Sequence, residues 1–226
     1  MKKGIFIIAI LVTAAIFGCK GPEGQKVTSG EAAEPGNDKS GASIVYAADT
    51  VQSVIEWLGT KPTGEHYGTI FLSSGKLMVE DGSLVGGDFV IDMKSIENED
   101  VQDPEYNQKL VDHLKSADFF EVEMYPVSRF VITGVEKVDA GSVKDSEFRP
   151  THRITGNLSM KDVTRSITFD AVVSMKGDEV IAYTPQFVID RSEWNIKYGS
   201  RKFFDNLKDN FIYDEIGLKI KLIGKK

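Results

Sequence analysis

The chain is patterned mostly in steps of two. From Ser166 to Met175, Ile167, Phe169, Ala171, Val173 and Met175 share one face, while Ser166, Thr168, Asp170, Val172 and Ser174 share the other. That period predicts a strand with one apolar face. Ile212 to Ile223 repeats the pattern, with Ile212, Ile216, Leu218, Ile220 and Leu222 on one side and Asp214 interrupting. Further strands are predicted at Val54–Leu58, Tyr67–Leu72, Lys76–Glu80, Phe89–Met93, Arg129–Val135, Ile154–Met160 and Val180–Asp190. Between them lie turn signals: Lys61-Pro62-Thr63-Gly64, Ser73-Ser74-Gly75, Asp81-Gly82, Lys161-Asp162 and Gly177-Asp178. One helix interrupts the series. Asp103 is its expected N-cap and Pro104 lies near its start, with Tyr106, Leu110, Val111 and Leu114 at helical spacing. A second, shorter amphipathic segment is read at Phe203–Leu207. About eight short strands with turns between them predict an all-β fold, an antiparallel barrel or sandwich with one inserted helix.

The N-terminus breaks the pattern. Lys2 and Lys3 precede an apolar run from Gly4 to Phe17, which is too short for a transmembrane helix and reads as a signal-peptide core. The run ends in Ile16-Phe17-Gly18-Cys19, which resembles a bacterial lipobox, and Cys19 is the one cysteine of the chain. Residues 1–18 are therefore expected to be a lipoprotein signal peptide, with Cys19 lipidated and serving as a membrane anchor. Lys20 to Ser43 is rich in Gly, Glu, Ala, Ser and Pro and has Val27 as its only large aliphatic residue, so residues 19–43 read as the lipidated Cys and a flexible tether. Residues 44–226 form the expected single domain. Lys20 directly after the cysteine, by resemblance to other lipoproteins, favours the outer membrane, facing the periplasm.

Composition narrows the function. Hydrophobic residues make up 41% of the 226 residues and charged ones 27%, the balance of a folded domain. A net charge of −7 disfavours nucleic acid as a partner. A single cysteine excludes an internal disulfide or a cysteine-rich metal cluster. His66, His113 and His152 lack metal-ligand spacing, and no Gly-x-Ser-x-Gly elbow is present around a serine such as Ser192. His66 reads as part of a polar turn. The acidic run Glu97–Asp103 does not fit a calcium-binding loop. These patterns point away from an enzyme and away from a metal or other cofactor.

Four segments, in order, give a specific resemblance. They are Gly87-Asp88-Phe89-Val90-Ile91-Asp92-Met93-Lys94-Ser95-Ile96, then His113-Leu114-Lys115-Ser116-Ala117-Asp118-Phe119-Phe120 with Tyr125-Pro126, then Ile154-Thr155-Gly156-Asn157-Leu158-Ser159-Met160-Lys161-Asp162, and Ile189-Asp190-Arg191-Ser192-Glu193-Trp194-Asn195. Together they resemble the YceI-like family of bacterial periplasmic lipid-binding proteins, over nearly all of residues 45–224. The resemblance implies an eight-stranded antiparallel, lipocalin-like barrel enclosing an elongated apolar pocket. It also implies non-enzymatic binding, transport or sequestration of a long-chain amphiphilic lipid, such as a polyisoprenoid, an isoprenoid quinone or a fatty amide, in the cell envelope. On the inserted helix, Lys109-Leu110-Val111-Asp112 lacks the Arg-Asp pair that the family often carries, so head-group recognition is expected to differ.

On this reading the ligand-binding candidates are Trp57, Phe71, Phe89, Ile91, Leu110, Leu114, Phe119, Phe120, Phe130, Phe169, Phe187, Arg191 and Trp194. Arg191 has two readings, a head-group contact or an ion pair with Asp190 or Glu193. The alternative function is an envelope binding module whose barrel is filled by its own side chains and which contacts a protein or glycan partner. A homodimer is left open.

Overall fold

A computed structural model describes residues 21–34, 43–139 and 148–226. Cys19 and the expected signal peptide lie outside the described residues. The strands are β1 (Gln25–Lys26), β2 (Gly30–Glu31), β3 (Ile44–Ala48), β4 (Val54–Lys61), β5 (Gly64–Glu80), β6 (Ser83–Asn98), β7 (Val127–Lys137), β8 (His152–Met160), β9 (Val163–Lys176), β10 (Glu179–Tyr183), β11 (Phe187–Asp190) and β12 (Glu215–Lys225), with α1 (Pro104–Lys115) between β6 and β7. Strands β4 to β10 pair with their sequence neighbours, antiparallel, and β12 joins β10 to β4. Eight strands thus close a ring, although β10 pairs only Val172–Lys176 of β9 and leaves the earlier part of that strand open on this side. The fold is a mostly-β, lipocalin-like barrel with one helix. The ring and its buried core lie within residues 44–225.

The predicted alternation places the core. Ile167, Phe169, Ala171 and Val173 of β9 are buried inside the ring, and the opposite face is more exposed. Asp103 caps α1 as expected, accepting the amides of Glu105 at 3.0 Å and Tyr106 at 3.1 Å, with Pro104 in the first turn.

Four local expectations differ. Ser73-Ser74-Gly75 is not a hairpin turn: β5 runs through it, and a bulge shifts the register between Leu72↔Ile91 and Ser74↔Val90. The extra residue flips the inward parity, so Ile70 and Leu72 before the bulge and Leu77 after it all face the core. The expected strand Val180–Asp190 is two strands, broken at Thr184-Pro185-Gln186, because proline cannot donate to the ladder. The amphipathic segment Phe203–Leu207 has no regular secondary structure, and its two phenylalanines are exposed.

The fourth difference is the tether. Residues 21–34 lie on the barrel: β1 runs parallel to β11 and β2 antiparallel to β9, bridging the outer seam between them. Pro22 is buried, Val27 packs on the core, and the Asn157 amide side chain clamps the Ala33 backbone in both directions, at 2.9 Å and 2.6 Å. Short backbone ladders, the Asn157 amide and the side chains of Pro22 and Val27 together hold this strap.

One buried histidine gives the fold a pH dependence. His152 is buried, with Nδ1 2.8 Å from Thr151 Oγ1. Burial chiefly, and the Lys137 charge secondarily, push its pKa below the ordinary value. The unfolded chain therefore binds a proton that the folded chain refuses, and this contribution to stability, complete above about pH 6.5, is lost as pH falls from there through the folded pKa. Urea midpoints should fall between about pH 7 and pH 5, and His152→Gln should flatten that slope. An equal slope in the variant would assign it to other groups.

Candidate functional site

The barrel interior is not filled. A cavity of about 370 Å³ runs inside it, within the usual range for a ligand pocket, and its wall is almost wholly apolar. Alternate positions of each strand supply that wall. Phe89, Ile91 and Met93 come from β6, Phe130 and Ile132 from β7, Ile154, Leu158 and Met160 from β8, and Ile167, Phe169, Ala171 and Val173 from β9. Ile216, Leu218, Ile220 and Leu222 of β12 complete it beside Phe187 of β11 and Ile55 and Trp57 of β4.

Aromatic rings organise one side of the cavity. Phe169 stacks on Phe187 at 4.7 Å with an interplanar angle of 5°, and Phe130 lies 5.6 Å from Phe169. The tip of the Phe130 ring and the Val131 carbonyl crowd Gly156, where an added Cβ would stand 2.4 Å from the ring and 2.7 Å from the carbonyl oxygen. Glycine is thus required there by close approach, and the ring keeps its place along the wall.

The inserted helix forms one end. Leu110, His113 and Leu114 of α1 reach the cavity, and Phe119 and Phe120 follow on the turn after it. His113 packs edge-on against Phe119 at 5.1 Å and against Tyr198 at 4.6 Å, which ties α1 to the segment before β12.

Of the thirteen sequence candidates, Trp57, Phe89, Ile91, Leu110, Leu114, Phe119, Phe120, Phe130, Phe169, Phe187 and Arg191 are brought together on this wall. Phe71 and Trp194 are not. Phe71 stands on the face of β5 opposite Ile70 and Leu72, half-buried across from Asp92. Trp194 is wholly buried in the 3₁₀ turn after β11, and its indole N–H donates to the Leu158 carbonyl at 2.9 Å, so it fills core beside the cavity.

Arg191 reaches the wall, yet its donors serve the fold. It is 1% exposed and gives hydrogen bonds to the carbonyls of Ile196 at 2.8 Å, Ile212 at 3.3 Å and Tyr213 at 3.3 Å. Its ion partner is Asp214 at 3.3 Å, not Asp190 or Glu193. Asp190 instead accepts from Ser192 and Lys202, which outweigh the effect of its burial and hold its carboxyl below the usual range.

Sequence reasoning missed several polar residues of the wall, among them Thr60, Lys61, His66, Ser128 and Thr184. Lys61 and His66 occupy inward positions at the β4–β5 end, since His66 pairs with Gly59 across from Ile216. His66 Nδ1 lies 2.8 Å from Asp100 Oδ2 and Nε2 lies 3.3 Å from Lys61 Nζ. Burial raises the Asp100 carboxyl, but hydrogen bonds from the Tyr67 amide, His66 and Asn98 outweigh it and leave the pKa lowered. The signal for Lys61 and His66 was the same two-residue alternation, extended past Leu58 and before Tyr67. Among the described residues, no group of three His, Cys, Asp or Glu is placed to hold a metal ion.

A family model, the YceI-like domain, matches residues 46–223, which is most of the chain and nearly the whole ring. The chain belongs to the YceI-like family. Curated relatives include UPF0312 proteins of Pseudomonas putida strains GB-1 and W619, 36% and 34% identical over 67 residues, covering 30% of this chain and 30% of each relative. The chain thus spans about a third of the length of the curated relatives it matches. Among solved structures, this YceI-like barrel is similar to BcnA of Burkholderia cenocepacia, with a TM-score of 0.54 and 21% identity over 78% of this chain and 98% of the other. It is similar to a polyisoprenoid-binding domain from Saccharophagus degradans, implicated in plant cell wall breakdown, with a TM-score of 0.54 and 14% identity over 80% and 97% of the two chains. At such identities the likeness is one of fold.

Proposed function

We propose that this protein binds a long-chain isoprenoid or similar amphiphilic lipid and carries or sequesters it in the bacterial cell envelope, anchored through a lipidated Cys19. The observation that carries the reading is the apolar cavity of about 370 Å³ inside the closed ring. A barrel filled by its own side chains would leave no such space, and the partner-binding alternative loses its main support. Each buried CH₂ contributes about 0.8 kcal/mol, so a long apolar chain binds well with few polar contacts. The binding domain from Saccharophagus degradans, which shares the fold, supports the isoprenoid class. The role supported is binding: the wall is almost wholly apolar, Arg191, Ser128 and Thr184 are engaged in holding the fold, and Lys61 and His66 are bonded to each other and, through His66, to Asp100.

The test is direct. Residues 20–226, secreted without Cys19, are purified, denatured and extracted with organic solvent, and the extract is read by mass spectrometry. A polyprenyl or quinone species near one per chain is expected. A bare chain by native mass spectrometry, and no uptake of an added isoprenoid quinone, would overturn the reading.

A further inference from the structure

Between Asn195 and β12 the chain makes a loop that belongs to neither the ring nor the cavity wall at its tip. Phe203 is 44% exposed and Phe204 49% exposed, side by side. Two consecutive exposed phenylalanines on a surface are a cost in water unless something covers them. The loop is nevertheless built. Its base is Ser200, which is fully buried, donates to Asp214 Oδ2 at 3.0 Å and accepts the Lys202 amide at 3.1 Å. Asp214 is in turn the ion partner of Arg191. The amides of Phe203 and Phe204 both bond the Ser200 carbonyl, at 3.2 Å and 3.1 Å, and Asn206 and Lys208 take positive φ to bring the chain back. The two rings are thus held outward by a buried, hydrogen-bonded root.

The charge around them is opposite to that of the protein. From Lys197 to Asp209 the loop carries Lys197, Arg201, Lys202 and Lys208 against Asp205 and Asp209, a local excess of positive charge in a chain of net charge −7, with Lys202 paired to Asp190. Lys197 Nζ lies 5.0 Å from the centre of the Phe203 ring. Exposed aromatic rings among cations are the composition that enters a membrane interface, with rings in the acyl boundary and cations at anionic head groups.

The loop's place fits that use. Its two stems, Tyr198 and Ile212, lie at the α1 end of the cavity: Tyr198 packs on His113 and Phe119, and Ile212 is on the wall. The strap starts at the same end, since a methyl group on Gly21 would touch Glu215 and Tyr213.

We propose that the Phe203–Phe204 loop docks the α1 end of the cavity onto an anionic phospholipid surface, so that lipid passes between bilayer and barrel at that end. This rests on the carrier reading of the cavity. The test uses residues 20–226, which lack Cys19, with vesicles of phosphatidylethanolamine and phosphatidylglycerol and, separately, of phosphatidylcholine. The chain should float with the anionic vesicles, less so at high salt, and Phe203→Ser/Phe204→Ser should weaken that binding about tenfold or more. The circular dichroism spectrum and extracted lipid of the variant should match the parent, because the two rings lie outside the core and cavity.

Equal flotation of variant and parent would overturn the proposal. So would a parent that fails to float, and if it still yields lipid on extraction the carrier reading stands without the docking loop. A parent that floats but holds no lipid would keep the docking and remove the carrier reading. A parent that sediments as a dimer and does not float, with a monomeric variant, would assign the rings to a second copy of the chain and overturn membrane docking.

Discussion

Arg191→Met should lower the free energy of unfolding by about 3–5 kcal/mol, the usual cost of removing one member of a buried ion pair. The guanidinium side chain is 2% exposed and Asp214 is 11% exposed. Removing the cation leaves a carboxylate in a nearly dry site, with Ser200 as its remaining hydrogen-bonding side chain. It also leaves the carbonyls of Ile196, Ile212 and Tyr213 without that donor. The loss should be read from urea denaturation, and the double variant Arg191→Met/Asp214→Asn should recover part of it, because the orphaned charge is gone. If the single variant unfolds like the parent but no longer retains lipid, Arg191 is a ligand contact rather than a structural cation.

That residue shows where a sequence stops being readable. The Arg-Ser-x-Trp segment is conspicuous, and an ion pair was one of two readings for Arg191, but its partner lies 23 positions downstream, across the β11–β12 pairing. Nearest-neighbour reasoning offers Asp190 and Glu193 instead. Local features fared better because their cause is local. Asp103 caps α1 through its own side chain, and Asp81-Gly82 turns the chain because both residues take positive φ. Ser73-Ser74-Gly75 shows the limit, since a bulge and a hairpin turn use the same small polar residues and only the partner strand tells them apart.

The strap was hidden for a different reason. Composition reports which side chains are able to bury, and residues 21–34 have few. The edges of β9 and β11 needed backbone partners, and any chain with free amides and carbonyls can supply them. The same logic separates the aromatic candidates. Phe89, Phe130, Phe169 and Phe187 sit at inward positions of strands whose alternation was legible. Trp194 sits in a turn without a period, and whether it faced cavity or core depended on the Leu158 carbonyl of another strand.

Filling the cavity should abolish lipid retention without unfolding the barrel. Ala182 is the place to do it. It lies on the wall in register with Val173 and Leu222, which both face the same space. Ala182→Trp would extend an indole into a volume of about 370 Å³ that is vacant of side chains, so it should not clash with a packed core. The added apolar surface, buried at about 25 cal/mol per Å², should hold or raise the urea midpoint. The extracted lipid should fall at least about tenfold, because the same volume cannot hold both occupants. Phe120→Asp approaches the question by polarity: a carboxylate on the wall near Phe119 would be poorly solvated against an apolar chain, and lipid should again be lost while strand content by circular dichroism is kept. The two variants change volume and polarity independently. Loss in both places the lipid inside the barrel; full retention in Ala182→Trp would place it elsewhere on the protein and leave the cavity without a ligand.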